Sequence, residues 1–193
     1  MVFFFSGLGY VYPATWHEAK FNAFARMTGE YLSETFLALG NNSQKRGPLN
    51  IIGAGNLVSP NMSALQALLQ QDSVEGLFWY TFGAGYSGWN GTIFDRKSKK
   101  PVIGGRISLW GNASSGTMLG VHPMIEYFKM QLKKGIINTN ASDVNGYSLV
   151  PVNVWSHTVD DVVKVAKALE QTGNFEIITP TTLLDEVRTK CVR

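Results

Sequence analysis

Cysteine, charged residues and long apolar runs are all scarce in this chain of 193 residues. Cys191 is the single cysteine, so an internal disulfide is excluded. Charged residues make up 16% of the sequence and the net charge is only +3, so we expect no nucleic-acid partner. The basic run 96–100 is typical of a solvated hairpin tip. No apolar run approaches the roughly 20 residues of a membrane span, and residues 1–5 are too short and uncharged for a secretory signal.

Metal ligands and cofactor motifs are also sparse. His17, His122 and His157 lie far apart, and no H-x3-H pair occurs on a helix, so we expect no metal site. A G-x-S-x-G elbow of serine hydrolases is absent. A G-x-G follows a predicted strand at Gly53, but Ser59 replaces the third glycine of the dinucleotide fingerprint, and we expect no cofactor.

The composition and pattern that remain indicate one globular α/β domain over residues 1–193, with 45% apolar residues. Helical patterns separate the predicted strands, which lie at 2–5, 49–52, 74–82, 106–110, 149–155 and 175–178. Segments 91–95 and 101–104 predict an inserted β-hairpin around the basic tip. Such alternation is typical of parallel β/α units, which close into a barrel or form a doubly wound sheet.

The most distinctive stretch is Gly-Leu-Gly-Tyr-Val-Tyr-Pro at 7–13, where glycines permit a sharp turn and Pro13 stiffens the chain after two phenols. This motif resembles the signature of the GxGYxYP family of putative glycoside hydrolases. The resemblance to its C-terminal domain extends through Gly-Leu-Phe-Trp-Tyr at 76–80, Pro-Val-Ile at 101–103, Val-Asn-Val-Trp-Ser-His at 152–157 and Phe-Glu-Ile-Ile-Thr-Pro at 175–180. It implies sugar processing and favours a partial or distorted TIM-like barrel.

The length and the sequons raise two further expectations. A full barrel takes about 250 residues, and this chain starts directly on a strand, so we expect upstream strands elsewhere. The exposed strand edges would then associate with an upstream barrel half or with a second copy. N-x-S/T sequons begin at five asparagines, which indicates a secretory origin, although polar Asn/Ser loops also generate sequons and leave the localisation open.

Aromatic residues recur where predicted strands end. In parallel α/β proteins ligands bind outside the carboxyl ends of the strands. Sugar faces pack on aromatic planes, while their hydroxyls pair with polar side chains, so we expect a carbohydrate ligand here. The candidate substrate-binding residues are Tyr10, Tyr12, Asn56, Tyr80, Tyr86, Trp89, Trp110 and Trp155. Trp79 fits the core and the site equally well.

Paired carboxylates are missing from these strand ends, although glycoside hydrolysis normally uses two. Glu18, Asp160 and Asp161 lie in the first turns of predicted helices, where they cap or complement the dipole. His157 is the titratable group best placed for general acid–base catalysis and is the candidate catalytic residue. It could equally cap the following helix or bond a backbone carbonyl.

Three functions remain open at this point. The first is a glycoside hydrolase domain acting on polysaccharide or glycoconjugate sugars. The second is a non-catalytic carbohydrate-binding domain, which the missing carboxylate pair favours. The third is a hydrolase similar to polysaccharide deacetylases, because residues 152–180 also resemble the end of those enzymes, which use a metal held by histidines and an aspartate.

Overall fold

A computed structural model describes residues 17–38, 47–53, 62–81, 91–94 and 100–191. Its helices are α1 (Glu18–Ala38), α2 (Met62–Leu69), α3 (Val121–Lys133), α4 (Val159–Glu170) and α5 (Pro180–Glu186). Its strands are β1 (Gly47–Gly53), β2 (Val74–Thr81), β3 (Ile93–Phe94), β4 (Val102–Gly104), β5 (Ser108–Leu109) and β6 (Met118–Leu119). None of these helices combines the length and apolar character needed to cross a membrane.

The larger sheet has the strand order β1-β2-β4-β3. β1 and β4 both run parallel to β2, with Leu77 beside Leu49 on one side and beside Val102 on the other. β3 runs antiparallel to β4, which confirms the predicted inserted hairpin. β1, α2 and β2 form a β/α unit, with the helix in the crossover between two parallel strands, whereas no described helix lies between β2 and β4.

The smaller sheet pairs β5 with β6 in parallel. Single parallel bridges join Gly105 to Leu149 and Leu109 to Val152, so residues 149–153 lie beside β5 on its other side. The amide of Gly105 donates to the carbonyl of Trp79 at 3.0 Å and links this region to β2. The fold is mixed α/β with short parallel sheets, and the described ranges do not form a closed barrel.

Two of the predicted strands do not form continuous strands. The segment predicted as a strand at 149–155 makes only the two single bridges, and 175–178 forms no strand. In the second case side chains hold the segment: the Phe175 ring packs edge-on against Phe128 at 6.0 Å, and the Ile177 amide donates to the Glu170 carboxylate at 3.4 Å. Contacts with the helices therefore replaced the ladder that the apolar run suggested.

Helices cover both faces of the larger sheet. Leu77, Trp79 and Val102 pack against the apolar sides of α1 and α2. Phe78 and Ile103 face the opposite way, toward Leu183 and Leu184 of α5, because successive strand residues point to opposite sides. A separate core joins β5 and β6 to α3 and α4. Trp79 is completely buried, which assigns it to the core.

The residues at the ends of α3, α4 and α5 match the sequence signals for helix starts and stops. Thr158 forms a capping box with Asp161 at the start of α4, and its hydroxyl accepts from the Asp161 amide. Gly135 and Gly173 follow α3 and α4 with positive φ. Thr179 and Pro180 begin α5 as cap and first residue. These residues mark where α4 and α5 begin and where α3 and α4 end.

Candidate functional site

The predicted site residues divide into two groups. Tyr10, Tyr12, Asn56, Tyr86 and Trp89 lie outside the residues that the structure describes. The other candidates lie at or after the carboxyl ends of parallel segments: Tyr80 is the second-last residue of β2, Trp110 follows β5, and Trp155 and His157 follow the segment 149–153. The two loops that carry Trp110 and Trp155 form the candidate site.

Asn153 organises the loop that carries Trp155 and His157. Its side chain is buried, and Oδ1 accepts hydrogen bonds from the amides of Trp155 at 3.0 Å and Ser156 at 2.9 Å, and from Ser156 Oγ at 2.9 Å. The Asn153 carbonyl also accepts from the His157 amide at 3.1 Å. Asparagine favours such local bonds to the following backbone, so one side chain sets the shape of the whole turn.

Gly111 ties this loop to the one after β5. Its amide donates to Ser156 Oγ at 3.0 Å, and its carbonyl lies 2.9 Å from His157 Nε2. Gly111 has a φ of +62°, a conformation that glycine adopts without steric cost. Both backbone polar groups of one residue are therefore used to hold the two loops together beside Trp110.

His157 is buried between these loops, with its two ring nitrogens facing protein atoms. Nε2 lies against the Gly111 carbonyl, and because a carbonyl can only accept, Nε2 carries the hydrogen. Nδ1 lies 3.5 Å from Asp161 Oδ2. This arrangement does not direct Nε2 at Ser156 Oγ, so it is not a serine hydrolase dyad. The catalytic role of His157 stays a prediction, and its present contacts position the loops.

Asp161 is the carboxylate in contact with His157, and it is committed to the helix cap. Oδ2 accepts from the Thr158 amide at 3.1 Å and from its hydroxyl at 3.2 Å. The bond from the Thr158 backbone, together with Lys164 nearby, lowers the pKa of Asp161 below its ordinary value. Asp161 is thus ionised at neutral pH, whereas a general acid of glycoside hydrolysis needs a raised pKa.

Trp155 is the most exposed large apolar side chain of this region. The residue is 90% exposed, and its neighbour Val154 is 77% exposed. Single exposed apolar residues are common, but packing does not account for an exposed tryptophan held on a hydrogen-bonded turn, so Trp155 is a candidate contact for a ligand. The bonds of Asn153 supply that rigidity.

Tyr80 is partly buried and packs against the core formed by Phe78, Ile103 and α5. Burial raises the pKa of its phenol, so the hydroxyl stays protonated and keeps its donor hydrogen. Tyr80 therefore lies on the face of the sheet that packs against α5, and its ring is not an exposed stacking surface.

Metal ligands do not converge in the part of the chain that the structure describes: no three His, Cys, Asp or Glu side chains form a cluster there. The sequence analysis named Trp110, Trp155 and His157 as candidates but did not name Asn153 or Gly111. An asparagine after a predicted apolar strand commonly makes an Asx turn, and this is the signal by which Asn153 could have been named.

Comparison with known proteins adds a family and a fold. The family model described as the GxGYxYP putative glycoside hydrolase C-terminal domain matches residues 1–188. Curated proteins give no match. A solved structure of a putative hydrolase from Bacteroides thetaiotaomicron VPI-5482 aligns with a TM-score of 0.75 at 20% identity, covering 96% of this chain. The chain spans 32% of the length of that protein.

Proposed function

The chain belongs to the GxGYxYP putative glycoside hydrolase family, and from this premise we propose that it binds saccharides at the loops after β5 and after residues 149–153. In the complete protein this domain takes part in acting on polysaccharide or glycoconjugate sugars. The sugar rests on the Trp155 indole, with Trp110 on the neighbouring loop and polar groups around them.

The exposure of Trp155 is the observation that carries this proposal. The ring buries almost none of its surface in this domain, yet its backbone is fixed through Asn153 and Ser156. Stacking a sugar face on the indole would remove apolar area from water without reorganising the turn. The predicted aromatic residues Tyr10, Tyr12, Tyr86 and Trp89, with Asn56, are proposed to extend the same binding surface.

A non-catalytic carbohydrate-binding domain is the second candidate, and the state of Asp161 favours it. Retaining and inverting glycosidases both pair an acid with a second carboxylate. Asp161 has a lowered pKa and accepts the helix-capping bonds, and His157 faces Gly111. Hydrolysis by this domain would need His157 to leave Gly111, or catalytic carboxylates from another part of the protein.

The barrel is also a proposal. We infer that the short parallel sheets form part of a larger distorted barrel with further β/α units. Parallel strands with right-handed crossovers favour it, and so does the likeness in fold to a protein about three times as long. In such an assembly the carboxyl ends of all the strands would meet at the Trp155 surface.

Replacing Trp155 with alanine tests the binding proposal. We expect binding on a glycan array and in calorimetry to weaken by about tenfold or more, which corresponds to about 1.4 kcal/mol of lost stacking. Tyr31→Ala is the matched control, because Tyr31 is an exposed aromatic residue on α1. Equal affinity of Trp155→Ala and wild type would refute the proposed surface.

A further inference from the structure

The side-chain amide nitrogen of Asn153 makes no hydrogen bond within the described part of the fold. Asn153 is 5% exposed, and its Oδ1 accepts three hydrogen bonds, from two backbone amides and one hydroxyl. No described residue accepts a hydrogen bond from Nδ2. The nitrogen is not among the fully buried polar atoms that lack a partner, so solvent still reaches it.

The orientation of this amide is fixed by its neighbours. Turning it over would place the NH2 group against the amides of Trp155 and Ser156, which are themselves donors. The three donors therefore fix Oδ1 as the acceptor and leave the two N–H groups of Nδ2 without a partner among the described residues. Because solvent reaches Nδ2, its N–H groups can donate to water, and a ligand oxygen can take the place of that water.

We propose that Asn153 Nδ2 donates a hydrogen bond to an oxygen of the bound saccharide, which makes Asn153 a specificity-determining residue of the site. This inference rests on the proposed function. It adds a hydrogen-bond donor, Asn153 Nδ2, to a site in which Trp155 supplies the stacking surface. Asn153 and Trp155 are connected through the Trp155 amide, so the donor and the indole are held by the same turn. Both are organised before a ligand arrives.

The charges around the turn favour a neutral sugar. Asp160 and Asp161 lie in the first turn of α4, and the ionised Asp161 contacts His157 at 3.5 Å. Lys164 lies 3.4 Å from Asp161 and offsets part of that charge. Carboxylates so placed repel the uronate groups of an acidic polysaccharide, whereas a hydroxyl or ring oxygen accepts from Nδ2 without this penalty.

The test compares Asn153→Asp with Asn153→Ala. Aspartate keeps an oxygen that accepts the three internal bonds but has no N–H to donate, so the fold should survive while binding is lost. The probes are cellotetraose, chitotetraose, mannotetraose, xylotetraose and tetragalacturonate, measured by calorimetry on the full chain. We expect Asn153→Asp to weaken the best neutral tetrasaccharide at least tenfold, with a melting temperature near that of wild type, and tetragalacturonate to bind wild type worst.

The controls separate the two ideas. Asn22→Asp on the exposed side of α1 makes the same chemical change away from the site and should leave binding unchanged. If Trp155→Ala weakens binding but a folded Asn153→Asp binds as wild type, the donor role is overturned and the saccharide surface stands. If wild type binds none of the five probes, the proposed function and this inference both fail. Asn153→Ala should lose binding and also stability, because it removes the acceptor for the turn.

Discussion

At the residue scale, single side chains connect loops that are distant in sequence. His157 meets the carbonyl of Gly111, 46 residues away, while its other nitrogen faces Asp161. Ser156 accepts from the amide of the same glycine. A change at any of these positions therefore acts on both loops, and its effect on ligand binding needs to be separated from its effect on the cap of α4.

Asp161 gives a pH-dependent prediction. Its folded pKa is lowered from an ordinary 3.8, first by the hydrogen bond from the Thr158 backbone, so the ionised form stabilises the fold. That stabilisation is present above the unfolded pKa and is lost as the pH falls through the lower, folded pKa. We expect Asp161→Asn to be less stable than wild type at pH 7, with the difference vanishing in strong acid.

Urea denaturation at pH 7, 5 and 3 measures this effect. Asp160→Asn is the matched control, since Asp160 lies in the same helical turn but makes none of the capping-box bonds. A gap between wild type and Asp161→Asn that stays constant down to the lowest pH would contradict the assigned cause.

At the scale of elements, α3 and α4 pack together in the core that also contains β5 and β6. Phe128 of α3 is buried, with the rings of Tyr127 at 5.4 Å and Phe175 at 6.0 Å, both edge-on. Leu169 and Val165 of α4 belong to the same core. This packing fixes α4, and so also the turn at Thr158 that follows His157.

Phe128→Ala should therefore destabilise the domain strongly. Removing a buried phenylalanine costs about 3–5 kcal/mol in lost burial and residual cavity. Met130→Ala on the same helix should cost far less, about 0.5 kcal/mol, because Met130 is 43% exposed and lies outside the core. The free energy of unfolding from urea titration distinguishes them, and similar values for the two variants would show that this core contributes little.

At the scale of the whole molecule, several valines at and before α4 leave their apolar side chains exposed to solvent. Val154 and Val159 are 77% and 78% exposed, and the α4 valines at 162 and 163 are 36% and 39% exposed. The chain spans 32% of the length of the Bacteroides protein that shares its fold. Several exposed valines close together in the sequence are typical of a contact with another domain or a second copy.

We accordingly expect the isolated chain to self-associate. Light scattering should show an apparent mass that rises with concentration, and a Val154→Ser/Val159→Ser double variant should reduce the rise. Ile136→Ser serves as control, because Ile136 is 49% exposed and lies after α3 rather than in the segment that carries the exposed valines. A monodisperse monomer of the unmodified chain at high concentration would rule this out.

Much of the architecture follows from local patterns. The alternation of apolar strands with capped helices predicted the parallel sheet, and the segments around the basic run predicted the hairpin of β3 and β4. Thr158, Pro180 and the glycines after α3 and α4 marked the helix ends correctly. These signals are short in range, since each depends on backbone bonds within one turn.

The sequence by itself determined the family signature, the α/β class and the aromatic residues that follow the strands. Only the tertiary structure decided that Trp79 is core, that 175–178 is not a strand, and that Asn153 and Gly111 hold the site. The physical reason is the separation of the partners along the chain. A residue's type sets the bonds that it is able to make. Gly111 reaches Ser156 and His157 only when the whole sheet has assembled.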